Sequence, residues 1–137
     1  MPHYRDRETA RKILENSKVI AVVGLSDKRE RDSYRVASYL QKQGYKILPV
    51  NPNVSEVLGE KSYPDLDSIP FEIDAVDIFR KSENVPPIVE SAVARNVKSI
   101  WLQEGVINEE AGRIATEAGI DIVMDLCMRK MYSELFS

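Results

Sequence analysis

The chain has 137 residues, of which 43% are hydrophobic and 30% charged, and its formal net charge is −3. This length predicts one domain over residues 1–137, large enough to bury roughly two thirds of the surface that the unfolded chain exposes. No run approaches the roughly 18 apolar residues that a membrane-spanning helix needs. The negative net charge argues against general binding to nucleic acid or to an anionic membrane.

Cysteine and histidine are scarce in this sequence. The single cysteine, Cys127, excludes an intramolecular disulfide and a cysteine-based zinc site. The one histidine, His3, lies almost at the amino terminus, so catalysis or metal binding through histidine is not expected. The first residues mix acids with bases and contain no apolar stretch, which predicts no signal peptide and, by default, a cytoplasmic location.

The first half of the chain is predicted to form a helix followed by a βαβ unit. The amino-terminal segment, 1–17, carries a helical pattern over residues 6–16. Apolar, β-branched runs at 19–23 and 46–50 flank a second helical pattern, and a helix between two such strands makes them parallel. Ser33 is predicted to cap this helix, because its hydroxyl can accept a hydrogen bond from a free backbone N–H.

Three more strands alternate with helices in the second half. They are predicted at 73–79, 99–102 and 120–124, and a closing helix is predicted at 126–137. The alternation predicts an α/β fold with a Rossmann-like, doubly wound, five-stranded parallel sheet, helices on both faces and the strand order 3-2-1-4-5. That order places the switch point between the first and fourth strands.

The third predicted strand contains an acid. Alternation places Asp77 on one face with Ala75 and Phe79. Both faces of a parallel sheet are covered, so Asp77 is expected to need a hydrogen-bonding partner. A bond to a neighbouring loop backbone is favoured over a catalytic role.

Open α/β sheets bind ligands at the carboxyl ends of their strands. The predicted topology collects five separated segments at this edge, which are residues 24–26, 51–52, 79–82, 101–105 and 124–127. At Gly24 the plain interpretation is a tight turn. The functional one, which we favour, is a turn that lets a ligand approach the backbone and directs the helix N-terminus at an anion. The basic loop at 27–35, with a net charge of +1, suits a phosphate.

A dinucleotide site would show Gly-x-Gly-x-x-Gly after the first strand and an acid at the end of the second. The loop reads Gly24-Leu25-Ser26-Asp27-Lys28-Arg29 without a second glycine, and the second strand ends in Asn51-Pro52. Ordinary NAD binding is therefore disfavoured. NADP binding stays open, since the arginines of the loop suit a 2′-phosphate.

A set of motifs follows one another along the chain. They are Val22-Val23-Gly24-Leu25-Ser26, Ser33-Tyr34-Arg35-Val36-Ala37, Gly44-Tyr45, Pro49-Val50-Asn51-Pro52, Leu58-Gly59-Glu60-Lys61, Asp77-Ile78-Phe79-Arg80, Val85-Pro86-Pro87, Trp101-Leu102-Gln103-Glu104-Gly105-Val106 and Met124-Asp125-Leu126-Cys127. Together they closely resemble the stand-alone CoA-binding proteins, which are similar to the CoA-binding Rossmann domain of the succinyl-CoA synthetase α subunit. The resemblance covers about residues 19–127, and the order and spacing of the motifs make it specific.

The resemblance implies that coenzyme A lies across the carboxyl ends of the strands. Its phosphates would meet the loop after the first strand and the basic residues before the helix. Its nucleotide would sit near 51–52 and 79–81, and its pantetheine arm would pass toward 101–103 and 105. The candidate cofactor-binding residues are Gly24, Leu25, Ser26, Arg31, Ser33, Tyr34, Asn51, Pro52, Phe79, Arg80, Lys81, Trp101, Gln103, Gly105 and Cys127.

Two departures limit what the resemblance implies. Many relatives read Asp-Arg-Cys where this chain has Asp125-Leu126-Cys127, so an anion contact from that arginine is absent or supplied by Arg129 or Lys130. The second domain of the synthetase, with its phosphorylated histidine, is missing from the sequence, so the ligase reaction is not implied.

Several candidates have a structural interpretation as well as a functional one. Arg31 is either a solvated charge or a phosphate contact, and Asn51 either turns the chain or binds a ribose or base. Trp101 lies in a strand, where an aromatic core residue is the commoner case. Cys127 is either an inert small hydrophobe, which is the favoured interpretation, or the site of a mixed disulfide with a CoA thiol.

Three functions remain at this point. The first is a non-catalytic, nucleotide-binding module for CoA or acyl-CoA that acts as a carrier, sensor or partner subunit. The second is a minimal NAD(P)-linked oxidoreductase, although the sequence contains no complete catalytic constellation. The third is one subunit of an acyl-CoA ligase whose partner chain supplies the chemistry. A homodimer and an unknown protein partner both stay open.

Overall fold

The computed structural model describes residues 4–136, so His3 lies outside the described residues. The helices and strands, in chain order, are α1 (Arg7–Asn16), β1 (Val19–Val23), α2 (Asp32–Lys42), β2 (Lys46–Val50), β3 (Glu56–Val57), β4 (Glu60–Lys61), β5 (Ala75–Ile78), α3 (Val85–Ala94), β6 (Ser99–Leu102), α4 (Glu109–Glu117), β7 (Asp121–Val123) and α5 (Met128–Phe136). No helix within residues 4–136 has the length and apolar character needed to cross a membrane.

Five parallel strands form the main sheet, in the order β2-β1-β5-β6-β7. The predicted α/β, Rossmann-like class is therefore confirmed, with β1 inside the sheet. The place outside β2 is taken by Tyr63, which forms a single parallel bridge to Val50. With Tyr63 counted in the third place, the order becomes 3-2-1-4-5-6, which is consistent with the predicted Rossmann-type order.

The strand that was predicted for the third place lies elsewhere. β5 pairs with β1 on the side opposite β2. The reason is that the segment predicted as irregular forms the small antiparallel hairpin β3–β4 and then reaches the sheet edge at Tyr63, whose N–H donates to the Pro49 carbonyl at 3.0 Å. With that edge filled, the chain crosses to the other side of β1. The switch point consequently lies between β1 and β5, and not between the first strand and 99–102.

Apolar residues cover the sheet on both faces. One core joins α3 and α4 to alternate residues of the strands, including Ala21 and Val23 of β1. The other core joins α1, α2 and α5 to the strand residues that point to the opposite face of the sheet, including Ile20 and Val22. This alternation follows from the pleat, which directs successive side chains to opposite faces. The two cores hold the carboxyl ends of the strands level along one edge.

The start of α2 differs from the prediction. The helix begins at Asp32, and Arg31 occupies the N-cap position without a side-chain capping bond. The Ser33 hydroxyl instead accepts a hydrogen bond from the Ser26 backbone N–H at 3.0 Å. Because Ser33 lies inside the first turn, its side chain ties the preceding loop to the helix.

Gly24 follows the last paired residue of β1, and Phe79 follows the last paired residue of β5. The two backbones approach each other closely at this point. Gly24 has a φ of +88°, and a Cβ atom at this position would lie 2.3 Å from the Phe79 carbonyl oxygen. On either side, the Gly24 N–H donates to the Val50 carbonyl at 2.8 Å and the Phe79 N–H donates to the Val23 carbonyl at 2.9 Å. Both the backbone conformation and the packing therefore require glycine here.

Asp77 is the buried acid of β5. Its exposed fraction is 0%, and neither carboxylate oxygen has a hydrogen-bonding partner among the described residues. The expectation of a partner was therefore wrong. Burial raises the pKa of Asp77 well above its usual value, since the neutral acid is easier to bury than the charged form.

The pKa of Asp74, which lies just before β5, is shifted in the opposite direction. Oδ2 of Asp74 accepts hydrogen bonds from the backbone N–H groups of Lys18 and Val19 at 2.8 and 2.9 Å, and Lys98 lies 3.4 Å from Oδ1. Burial acts to raise the pKa of Asp74, but the two backbone bonds and Lys98 outweigh it and lower that pKa. Asp74 thereby joins the starts of β1 and β5.

We expect Asp77→Asn to remove a pH dependence of stability. The folded chain holds the Asp77 proton more tightly than the unfolded chain, whose pKa is near 3.8. The resulting contribution is fully present below that value and is lost as pH rises toward the raised folded pKa. Urea unfolding from pH 4 to 8 should show the wild-type chain losing stability relative to Asp77→Asn. The exposed control Asp67→Asn should follow the wild type, and parallel curves for all three chains would contradict the assignment.

We expect Gly24→Ala to lower the free energy of unfolding by more than about 2 kcal/mol, because a positive φ and a backbone clash add together. Gly59→Ala is the matched control, since Gly59 has a φ of +76° but open space where the Cβ would lie. Chemical denaturation of both variants separates the cost of the positive φ from the cost of the clash with the Phe79 carbonyl. Equal losses in the two variants would show that the approach to Phe79 is unimportant.

Candidate functional site

Two adjoining cavities lie at the carboxyl ends of the strands, and they share Asp32, Arg35 and Phe79. The first, called the α2 cavity, measures about 640 Å³; its walls are Gly24, Ser26, Lys28, Glu30, Arg31, Asp32, Ser33, Arg35 and Phe79. The second, called the α5 cavity, measures about 590 Å³; its walls are Asp32, Arg35, Val36, Phe79, Arg80, Lys81, Gln103, Glu104, Val106, Cys127, Arg129 and Lys130. They form one continuous crevice over the switch point.

A third cavity lies on the other face of the sheet and meets the crevice at Arg80. We call it the β2 cavity, and its volume is about 220 Å³. Its walls are Val23, Val50, Pro64, Asp65, Leu66, Arg80, Pro87, Ile88 and Ser91. Most of these side chains are apolar, so the cavity suits a flat, weakly polar group.

Hydrogen bonds within the loop after β1 shape the α2 cavity. The Ser26 N–H donates to the buried Ser33 hydroxyl, and the Lys28 N–H donates to the Ser26 hydroxyl at 3.0 Å. The Arg31 N–H then donates to the Lys28 carbonyl at 3.1 Å. These bonds fold the loop against the N-terminus of α2, whose partial positive charge favours an anion in the cavity.

Asn51 holds the same loop from the end of β2. Its Nδ2 donates to the Leu25 carbonyl at 3.0 Å, and its Oδ1 accepts from the Asn53 N–H at 2.9 Å. Leu25 itself is fully buried. Both side-chain groups of Asn51 are thus engaged in fixing backbone, which matches the chain-turning interpretation of this residue.

The end of β6 is fixed in a similar way. Trp101 is fully buried and donates from Nε1 to the Leu126 carbonyl at 2.8 Å. Gln103 is 4% exposed and accepts at Oε1 from the Met128 N–H at 3.2 Å. These two bonds hold the start of α5 beside the crevice, and Trp101 serves as core.

Asp125 joins the loops after β6 and β7. It has a φ of +58°, and its Oδ1 accepts from the Gly105 N–H at 2.7 Å. Cys127, two residues on, is a free thiol with an exposed fraction of 8%, and it lies in the wall of the α5 cavity. Its carbonyl accepts from the Met131 N–H at 2.9 Å, so it begins the first turn of α5.

Positive charge is concentrated in the crevice. Its basic side chains are Lys28, Arg31, Arg35, Arg80, Lys81, Arg129 and Lys130, and its acidic ones are Glu30, Asp32 and Glu104. Two of the acids are ion-paired within the crevice, Asp32 with Arg35 at 2.7 Å and Glu104 with Lys130 at 3.3 Å. The chain as a whole has a net charge of −3. The crevice is therefore suited to a ligand with several negative charges.

The structure brings many of the predicted site residues into the crevice walls. These are Gly24, Ser26, Arg31, Ser33, Phe79, Arg80, Lys81, Gln103 and Cys127. The others do not line it, and they are Leu25, Tyr34, Asn51, Pro52, Trp101 and Gly105. The backbone bonds described above explain why Leu25, Asn51, Trp101 and Gly105 matter to the shape of the crevice.

Sequence reasoning missed some wall residues as candidates. Val36 of α2, Glu104 and Val106 appeared in the sequence only within motifs. Helical spacing placed Val36 on the apolar face, but it could not show that this face meets the crevice at one end. Arg129 and Lys130 were not missed, because the sequence named both as possible sources of an anion contact, and both line the α5 cavity.

Comparison with known proteins adds to this geometry. The sequence model of the CoA binding domain matches residues 18–133. YneT of Bacillus subtilis is 43% identical over 119 residues, which are 87% of this chain and 88% of YneT. The structure of a hypothetical protein from Pyrococcus horikoshii OT3 covers 100% of both chains, with a TM-score of 0.92 and 40% identity.

A larger protein matches over only part of its length. The α subunit of an ADP-forming acetate–CoA ligase II from Pyrococcus furiosus is 30% identical over 124 residues, which are 82% of this chain. This chain spans 27% of that subunit. The resemblance inferred from the motifs is thereby confirmed, and the chain belongs to the CoA-binding domain family.

Proposed function

We propose that this protein binds coenzyme A, or an acyl-CoA, across the carboxyl edge of its sheet, and that it serves as a non-catalytic carrier, sensor or partner module. The observation that carries the proposal is the basic crevice at the switch point, formed around Gly24 in a chain of the CoA-binding domain family. CoA unites a 3′-phosphate, a diphosphate, an adenine and a long neutral arm, and the three cavities offer a matching sequence of environments.

Each part of CoA has a suitable location. The diphosphate suits the α2 cavity, where the loop from Gly24 to Ser26, the N-terminus of α2 and Arg31 present positive potential. The adenine suits the apolar β2 cavity, and Arg80 stands between it and the crevice. The pantetheine arm then occupies the α5 cavity, whose walls include Gln103 and Cys127.

The charges of the crevice favour binding over acid–base catalysis. Two of its three wall carboxylates are already held in ion pairs. Asp77 lies beneath Phe79 on the same strand face, fully buried, and is not part of the walls. A carrier or sensor needs only the binding surface.

A second candidate function is a subunit of an acyl-CoA ligase. It is favoured by the similarity to the Pyrococcus furiosus ligase subunit, in which the matching region is one part of a longer chain. This function requires a partner chain with a nucleotide-grasp domain. Purification of the tagged protein from its native cell, followed by mass spectrometry, should identify that partner in stoichiometric amount if this function holds.

A ligand panel tests the binding proposal. Native mass spectrometry with CoA, dephospho-CoA, NAD and NADP should show a one-to-one CoA complex that outcompetes both dinucleotides. Dephospho-CoA should bind about tenfold more weakly, because it lacks one charged partner for the basic side chains. Binding of NADP without binding of CoA would instead support the oxidoreductase hypothesis.

Arg31→Gln tests the phosphate contact. Arg31 is exposed at the N-cap of α2 in the α2 cavity. Its neutralisation should raise the Kd for CoA by about three- to tenfold at low salt, and by less at high salt, since screening weakens exposed charge interactions. The control is Arg113→Gln on α4, where Arg113 lies 3.7 Å from Glu117 and outside the crevice walls. Calorimetric titration that gives equal Kd values for the two variants would remove Arg31 from the site.

A further inference from the structure

We propose that the crevice holds CoA while the buried acid Asp77 keeps its proton, and that ionisation of Asp77 weakens the binding of the ligand. This inference rests on the proposed function and names how the same site is regulated, namely by a single proton beneath its floor. It arises from the place of an unpartnered carboxyl group in the layer of the core directly below the crevice.

Strand pairing places Asp77 one layer below the crevice. In the sheet it lies between Val22 of β1 and Trp101 of β6, which are its partners in register. The residues two positions further along the same three strands all line the crevice, and they are Gly24, Phe79 and Gln103. Two residues of a strand advance about 7 Å, so this short distance separates the layer of Asp77 from the floor of the crevice.

The carboxyl group of Asp77 has nothing to compensate a negative charge. It is fully buried, and neither of its oxygens accepts a hydrogen bond from any residue between 4 and 136. Burial raises the pKa of Asp77 for this reason. An ionised Asp77 would be an unpaired charge in surroundings of low polarity, where its field acts on a nearby anion more strongly than it would in water.

The elements packed on this face of the sheet give Asp77 no counter-charge. Its strand neighbours are uncharged, and the residues that α1 buries are apolar. The titratable side chains that belong to this core or pack against it are Tyr34, Tyr39, Tyr45, Cys127 and Tyr132. The charged side chains above the core, in the crevice walls, are Lys28, Glu30, Arg31, Asp32, Arg35, Arg80, Lys81, Glu104, Arg129 and Lys130. Burial accounts for the raised pKa of Asp77 without a contribution from these groups.

An anionic ligand and an ionised Asp77 repel each other. Under the proposed function the diphosphate of CoA occupies the α2 cavity, whose walls include Gly24 and Phe79. Bound CoA therefore opposes loss of the Asp77 proton, and by linkage the ionised chain binds CoA more weakly. The affinity for CoA is full while the free chain keeps this proton, and it falls as pH rises through the titration of Asp77 in the free chain. The affinity levels off when the CoA complex has lost the proton as well.

Carbon-13 NMR of the aspartate carboxyl groups tests this linkage directly. The wild-type chain is titrated from pH 5 to 9 with and without saturating CoA, and the signal absent from Asp77→Asn is assigned to Asp77. CoA should raise the midpoint of this signal by about one pH unit, which corresponds to about a tenfold change in Kd. The exposed control, Asp67, should have the same midpoint in both titrations. A midpoint of Asp77 that CoA leaves unchanged, or no titration of Asp77 in this range, would contradict the inference.

Calorimetric titration separates this inference from the function on which it rests. The ratio of the wild-type Kd for CoA to that of Asp77→Asn should rise about tenfold from the acidic to the alkaline end of the range, because the amide cannot ionise. Near the midpoint, binding to the wild-type chain should take up a proton from the buffer, and binding to Asp77→Asn should not. Asp67→Asn is the matched control and should behave as the wild type.

The possible results have distinct meanings. If CoA fails to bind the wild-type chain at every pH, the proposed function fails, and the inference fails with it. If CoA binds but the ratio of the two Kd values stays constant, only the inference fails. Thermal unfolding at each pH confirms that the chains are folded. Should Asp77→Asn not fold, the carboxyl signal with the highest midpoint identifies Asp77 in the wild-type chain, and the NMR titration decides alone.

Discussion

The close approach of β1 and β5 beyond their last paired residues is the constraint on which the crevice depends. Gly24 turns with a positive φ while its Cα faces the Phe79 carbonyl, and a side chain there would collide with that oxygen. The turn sends the chain over the edge of the sheet, so the following loop and the N-terminus of α2 stand above the switch point. A wider turn would separate the loop from Phe79 and divide the crevice.

Side-chain bonds to backbone then fix the loops around that point. Ser33, Asn51, Gln103 and Asp125 each bond a backbone group of another segment, at distances from 2.7 to 3.2 Å. These polar residues come from four different places in the chain. Their bonds replace the hydrogen bonds that a regular strand or helix would provide, because loop backbone at the sheet edge has no ladder of its own. The crevice is consequently preorganised, which lowers the entropic cost of ligand binding.

Charge is distributed unevenly over this small acidic protein. The crevice walls gather basic side chains at the positive ends of α2 and α5, while the chain as a whole is negative. Some of the basic groups are neutralised by Asp32 and Glu104. Such local accumulation of like charge is unfavourable without a ligand, and it is relieved when an anion binds. The same feature underlies the proposed CoA site.

The sequence by itself determined the parallel α/β sheet, the boundaries of β1, β2 and β6, and the edge of the sheet that carries the crevice, because these follow from local periodicity and from chain connectivity. It also indicated the CoA-binding family through ordered motifs. Only the tertiary structure decided that Tyr63 fills the outer place beside β2, that Ser33 bonds Ser26 and that Asp77 has no hydrogen-bonding partner within residues 4–136. Each of these depends on contacts between segments far apart in sequence or on the burial of a single side chain, and a local pattern carries no information about either.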